Sequence, residues 1–226
     1  MRIGIIGCGW LGKPLGTHLS SQHHVSCFSR DNTPKEFWDN ELFIISISTK
    51  DNYLSSINNF LSHINPAASI ILMSSTSVYK EFDEEINEEI KISQTSLQKE
   101  AEELVVQDRE HTLILRLGGL MGEDRIAGKW KSVSTFTDSP VNYIHQEDIL
   151  VIVSKLINKN IKNGIFNLVA PEHPLRSKVH KKNAIDFSFE LGNFNGLSHK
   201  LVNGDKLIKT INYKFLHPNP LEFWKY

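Results

Sequence analysis

The chain has 226 residues, with 25 Lys and Arg against 26 Asp and Glu, a formal net charge of −1. That length buries a substantial core and fits one domain with an appended lobe. The balanced charge gives no support for a nucleic-acid or polybasic membrane-binding role, and the longest apolar runs are strand-sized, far short of the roughly 20 residues of a membrane helix.

Arg2–Gly7 reads as a strand, and Gly7-Cys8-Gly9-Trp10-Leu11-Gly12 follows it directly, opening a helix over Leu11–Ser20. This is G-x-G-x-x-G in the context that gives it meaning. The first glycine permits a tight turn, the second lets the backbone approach a pyrophosphate, and the third lets the helix pack close to the strand. Free N–H groups and the positive helix end favour phosphate there. Gly7, Gly9, Trp10, Leu11 and Gly12 are therefore candidate cofactor-binding residues, with Trp10 either covering the cofactor or packing beneath the helix. The glycines that interrupt this apolar stretch argue against a signal peptide.

A second strand, Val25–Ser29, ends at Ser29-Arg30, where a dinucleotide fold reads the adenine ribose. An acidic residue at that point accepts from the 2′-hydroxyl of NAD. A hydroxyl and a guanidinium suit a 2′-phosphate better, so the pair points to NADP, with NAD as the alternative. The short aromatic turn Pro34–Trp38 leads to the strand Glu41–Ser48, and Tyr53–Ile64 reads as a helix. Only about a dozen residues separate these two strands, too few for a full crossover and a further strand. The edge strand that is third in chain order is therefore expected to be missing, which places Glu41–Ser48 beside the first strand and Ser48 and Thr49 at the cofactor crevice.

Ser69–Ser74 is the next strand and Ser96–Asp108 the next helix; Thr112–Leu117 and Ile165–Val169 are strands flanking a helix over Asp148–Asn158. Near-continuous apolar strands alternating with helices imply an α/β fold, a Rossmann-type doubly wound parallel sheet lacking its third strand. Residues 1–170 are read as the NAD(P)-binding domain and 171–226 as a small C-terminal substrate lobe, with loop 121–140 contributing. Arg125, Lys129, Trp130, His173, Arg176, Phe223 and Trp224 are its candidate substrate-side residues. The charged stretch Lys80–Lys91 reads as an exposed loop. Two cysteines, Cys8 and Cys27, exclude a disulfide framework and suit a reducing cytoplasm. The ten histidines show no paired metal-ligand spacing, so no metal is expected.

The hydroxyl-rich segment Ser74-Ser75-Thr76-Ser77-Val78-Tyr79 closes a buried strand at the edge where ligands bind, and either meets a substrate oxygen or caps a turn. In this setting the chain resembles the extended, atypical short-chain dehydrogenase/reductases, the NAD(P)-dependent epimerase/dehydratase family. GCGWLG is similar to its phosphate loop, SSTSVY to its S-S-x-x-V-Y segment, and Lys99 with Glu103 to its lysine helix. LILRLGGLMG (Leu113–Gly122), VNYIHQEDI (Val141–Ile149) and IFNLV follow in the family's order.

The resemblance implies that Ser75 orients a substrate oxygen and that Lys99 binds the nicotinamide ribose, unless it is only an exposed helical lysine among glutamates. Ser74 would join the cofactor-binding set. The family's tyrosine acid falls on Thr95, whose alkyl hydroxyl is far too weak an acid to replace a phenol near neutrality. Tyr79 is the only phenol near in sequence, read either as a substitute acid or as a packing residue. His145 and Asp148 either steer the substrate loop or cap the helix they precede. The expected function is an NADP-dependent oxidoreductase or epimerase acting on a small polyhydroxylated substrate, a nucleotide-sugar by family analogy. The alternative is a non-catalytic NADP-binding sensor. A homodimer through the faces Tyr53–Ile64 and Ser96–Asp108 would fit the family.

Overall fold

The computed structural model describes residues 1–31, 33–50, 52–79, 85–122, 124–130 and 135–224. β1 (Arg2–Ile6) turns into α1 (Gly12–Leu19) and returns as β2 (His24–Cys27). A 3-10 turn over Lys35–Asp39 precedes β3 (Leu42–Ile45), α2 (Tyr53–His63), β4 (Ser69–Ser75) and β5 (Glu85–Ile86). α3 (Leu97–Asp108), β6 (Thr112–Leu117), β7 (Gly119–Met121), β8 (Thr135–Asp138) and β9 (Tyr143–His145) lead to α4 (Gln146–Asn158). β10 (Gly164–Leu168), α5 (Arg176–Asp186), β11 (Asn193–Leu197), β12 (Leu201–Val202) and α6 (Asp205–Ile211) complete the order.

The main sheet has six strands in the order β10-β6-β4-β3-β1-β2. Every residue of β3 and β6 is buried, the burial expected of parallel strands covered on both faces. β3 pairs in parallel with β1, Ile3 opposite Leu42 and Ile6 opposite Ile45, and with β4 on its other side. Among the described residues no strand lies beyond β2, so the edge strand expected to be missing is missing. The 3-10 turn takes up that length: Phe37 lies edge-on to Phe43 and Trp38, and Phe28 closes the cluster against Phe60. Ile57, Leu61, Val105 and Ile114 extend the same core.

The chain divides into two compact units. The first comprises Met1–Val78, Lys91–Arg116 and Val153–Ile165, and the second Tyr79–Ile90, Leu117–Ile152 and Phe166–Tyr226. The sequence pattern suggests one boundary near residue 170, whereas these units also divide the chain within 1–170. Within the second unit Met121, Val141, Val179, Phe223 and Trp224 form a core, and Trp224 Nε1–H donates to the Gly122 carbonyl at 2.9 Å. Phe223 and Trp224 are thus packing residues. Much of this unit gives little signal in sequence: α5 has an acid-free first turn and little amphipathic pattern, and β11 and β12 are short. Of the charged stretch Lys80–Lys91, residues 80–84 lie outside the described part; of loop 121–140, so do residues 123 and 131–134.

One expectation is overturned. Cys8 and Cys27 are joined in a disulfide, where composition implies two reduced thiols. The cause is topological. β1 and β2 are adjacent and in register, with Ile5 opposite Cys27, and the glycine turn carries Cys8 back over the end of β1. With the cysteines 19 positions apart in sequence, the bridge removes loop-closure entropy from the unfolded chain, roughly 3 kcal/mol by the chain-entropy estimate. A thiol reductant, or Cys8→Ser with Cys27→Ser, should therefore lower the thermal unfolding midpoint by several degrees. Superimposable melts with and without reductant would show that no bridge forms in solution.

Candidate functional site

In the first unit β1, β2, β3 and β4 are parallel, so their carboxyl ends share one edge of the sheet. The glycine turn, Ser29-Arg30, Ser48-Thr49 and Ser74-Ser75 each follow or finish one of these strands, and the topology thereby collects the candidate cofactor residues from four separate stretches of chain. The turn itself is dictated by sterics. Gly7 has φ +104°, and a Cβ there would lie 2.4 Å from the Ser46 carbonyl oxygen. A Cβ on Gly12 would lie 2.2 Å from the Gly7 carbonyl oxygen. Gly9 is different: a Cβ there meets nothing within 4 Å. Two glycines are thus demanded by the protein's own backbone, and the third leaves open space at the mouth of α1.

Electrostatics agree with that geometry. No side chain caps α1, whose first turn carries no acidic residue, so the positive helix end is not offset locally. Leu11 is buried at the N-cap position and Trp10 is half-buried. The residues present therefore fit a pyrophosphate laid over Gly9.

At the end of β2, the Phe28 N–H still pairs with the Ile5 carbonyl at 2.8 Å, which fixes where Ser29 emerges. Thr33 Oγ1 closes the following loop by accepting from the Ser29 N–H and donating to the Ser29 carbonyl. Arg30 is exposed and makes no ion pair with a described residue. Ser48 and Thr49 lie just beyond β3, Ser48 and Thr49 both reaching the surface.

The remaining candidates separate. Ser74 is buried and donates to Glu102 Oε1 at 2.6 Å, so its hydroxyl is committed inward. Glu102 is held in turn by Arg116, through Nε at 2.9 Å and Nη2 at 2.6 Å. Ser75 Oγ is half-buried and accepts from the Ser77 N–H at 3.1 Å, which leaves its O–H to donate. Ser96 is the N-cap of α3, its Oγ accepting from the Lys99 N–H, so Thr95 sits exposed just outside the helix. Lys99 Nζ pairs with Glu103 at 2.8 Å, one helical turn on. Tyr79 belongs to the second unit, where its buried hydroxyl donates to Asn167 Oδ1 at 2.8 Å. That is the packing alternative of the two readings open from sequence.

Asp148 has a role the sequence did not disclose. It accepts from the Tyr213 hydroxyl at 2.6 Å and from the backbone N–H groups of Leu216 and His217. It thus holds the C-terminal segment rather than capping α4. Burial pushes its carboxyl above the ordinary value, against the hydrogen bonds, which pull it down. A cavity of about 390 Å³ lies at the opposite edge of the first unit, lined by Met1, Asn40, Leu113 and Ile157 among others. It is separated from the glycine turn by the length of β1, roughly 16 Å. Of its two lining carboxylates, Asp39 and Glu41, Glu41 accepts from the Arg2 backbone N–H at 2.7 Å.

No protein-family model matches the chain. Protein YeeZ of Escherichia coli K12 is 26% identical over 273 aligned positions that cover 97% of each protein. A solved protein of Methylobacillus flagellatus, classed as an NAD-dependent epimerase/dehydratase, superposes with a TM-score of 0.79 at 19% identity, covering 99% of this chain and 96% of that one. The human epimerase family protein SDR39U1, solved with NADPH, gives 0.74 at 13% identity over 97% and 96% of the two chains. UDP-glucuronic acid 4-epimerase from Bacillus cereus, solved with NAD, gives 0.77 at 13% identity over 96% and 94%. At these identities the likeness establishes the fold, a Rossmann-type sheet shared with short-chain dehydrogenase/reductase proteins.

The Glu102–Arg116 pair, each side chain 3% exposed, joins the strand residue Ser74 to α3 and β6. Breaking one partner leaves a buried, uncompensated charge, at a cost of about 3–5 kcal/mol. Arg116→Met and Glu102→Leu should each lower unfolding stability by that order, and the double substitution should recover much of the loss. Single variants within about 0.5 kcal/mol of wild type in denaturant melts would show that the pair is not buried as described.

Proposed function

We propose that the chain is an atypical short-chain dehydrogenase/reductase that binds NADP and acts as an oxidoreductase or epimerase on a small polyhydroxylated molecule, a nucleotide-sugar being one such substrate. The observation that carries this reading is the glycine turn, with two glycines forced by backbone contacts and Gly9 facing open space. In the proposed mode the pyrophosphate lies over Gly9 and the first turn of α1, with Trp10 and Leu11 flanking it. Ser29 and Arg30 take the 2′-phosphate, and the exposure of Arg30 supports that assignment. Ser48 and Thr49 would border the cofactor, and Lys99 would reach the nicotinamide ribose on leaving Glu103.

Bound NADP(H) would supply hydride transfer. The chain's own contribution would be to orient the substrate through the Ser75 O–H and to shield the reacting carbon from water. The likeness to proteins solved with NADPH and with NAD supports the cofactor class. In this reading the first unit carries the cofactor, and residues 171–226 with loop 121–140 carry the substrate. We further take the α2 and α3 faces as the homodimer surface, Val106 on α3 being 53% exposed. No described helix is long and apolar enough to cross a membrane.

A second reading, a non-catalytic NADP-binding sensor, is favoured by the acid position. Thr95 is exposed and unsuited to proton transfer, and Tyr79 would first have to give up its buried bond to Asn167. Both readings require the same cofactor site, and hydride transfer separates them.

The test is thermal-shift titration with NADPH and NADH on wild type, Gly9→Val and Arg30→Ala. A ligand at 100 times its dissociation constant stabilises by about 2.7 kcal/mol, so wild type should shift upward with NADPH. Gly9→Val should melt normally when free, because its side chain enters open space, yet lose the shift. Arg30→Ala should lose preference for NADPH over NADH. No shift with either nucleotide at millimolar concentration would end both readings.

A further inference from the structure

Three side chains of the second unit converge with no part in the chemistry above: His145 at the end of β9, Glu147 in the first turn of α4, and His217 in the C-terminal segment. One potential ligand atom from each lies within 4.8 Å of the other two. His217 Nε2 is 2.8 Å from Glu147 Oε2, and the two imidazole rings lie with centroids 3.8 Å apart. We propose that His145, Glu147 and His217 form a site for a divalent transition-metal ion of the zinc class, bound through two imidazole nitrogens and one carboxylate oxygen.

The donor set suits such an ion, since imidazole and carboxylate bind zinc at about 2.0–2.2 Å. Donors around a four-coordinate zinc at those lengths lie about 3.4 Å apart, so pairs as far apart as 4.8 Å would close by up to roughly 1.4 Å, while Glu147 and His217, now 2.8 Å apart, would open slightly. Glu147 has the freedom to do so, its side chain being 61% exposed. An ion pair between Glu147 and His217 would use one imidazole and the carboxylate. The buried His145 ring is turned toward the start of α4, its Nδ1 accepting from the Glu147 backbone N–H at 3.4 Å. A cation bridging all three uses every group, and takes the place of the hydrogen shared by Glu147 and His217, releasing a proton if His217 is charged.

The surroundings are those of a supported site. Asp148 grips the segment that carries His217, accepting from the N–H groups of Leu216 and His217 and from the Tyr213 hydroxyl. Such outer contacts fix ligand orientation. Phe223 presents an apolar wall to both rings, at centroid distances of 5.5 and 6.2 Å. His145 is buried and Glu147 exposed, and a water would supply the fourth ligand. The ion would clasp the C-terminal segment to the β9–α4 junction. The expectation of no metal rests on ligand spacing, and here one ligand comes from 70 residues away.

The test uses the untagged, metal-stripped full chain. Titration with Co²⁺ should give ligand-field absorption at one equivalent, displaced by Zn²⁺, and Zn²⁺ should raise the melting midpoint. His217→Ala and Glu147→Gln should each weaken Zn²⁺ binding by about tenfold or more, while His24→Ala, at an exposed histidine of β2, leaves it unchanged. His145 is buried, so the two accessible ligands are the ones substituted, with the variants' own melts confirming that they fold. Absence of binding below millimolar Zn²⁺, or binding unaltered in either variant, would overturn the proposal.

Discussion

The turn that joins β1 to α1 leaves no room for side chains at two of its three glycines. Gly7 is pressed against the Ser46 carbonyl and Gly12 against that of Gly7. That closeness lets the first helix start directly over the strand, and it also brings the end of β3 up to the turn. A β-carbon at either position would push apart the three backbones that define the crevice. The sheet then multiplies the effect, because parallel strands deliver every candidate cofactor group to the same edge.

Around that edge the protein divides its polar groups into those turned inward and those left outward. Ser74, Glu102 and Arg116 form a closed buried set in which each charge is paired. Their desolvation is tolerable only because the carboxylate takes two bonds from the guanidinium and one from the hydroxyl. Arg30, Ser48 and Thr49 remain at the surface, and Ser75 keeps an O–H to donate. A buried network that fixes a strand end beside accessible groups at the same edge is a sound arrangement for gripping a polar ligand without rebuilding the scaffold.

Much of this was legible from the residues. Apolar runs and glycine punctuation located the six sheet strands to within a few residues, and the short interval before Leu42 disclosed the missing edge strand. Two kinds of feature were hidden. The disulfide depends on which strands are neighbours, and composition alone points the other way. The roles of Tyr79, Asp148 and His217 depend on contacts between residues 65 or more apart in sequence, among elements of the second unit whose short strands and weakly patterned helix give little periodic signal. Local sequence showed Asp148 at a helix start, where capping is the ordinary use; only the fold shows the distant segment that donates hydrogen bonds to it.

The central claim is that the glycine turn is a dinucleotide site of NADP type, and a crystal structure of the chain grown with NADPH tests it most directly. The account predicts pyrophosphate density over Gly9 at the start of α1, with the 2′-phosphate within hydrogen-bonding reach of Arg30. A nucleotide bound elsewhere, or an adenine ribose turned away from Arg30 with its phosphate in solvent, would contradict it.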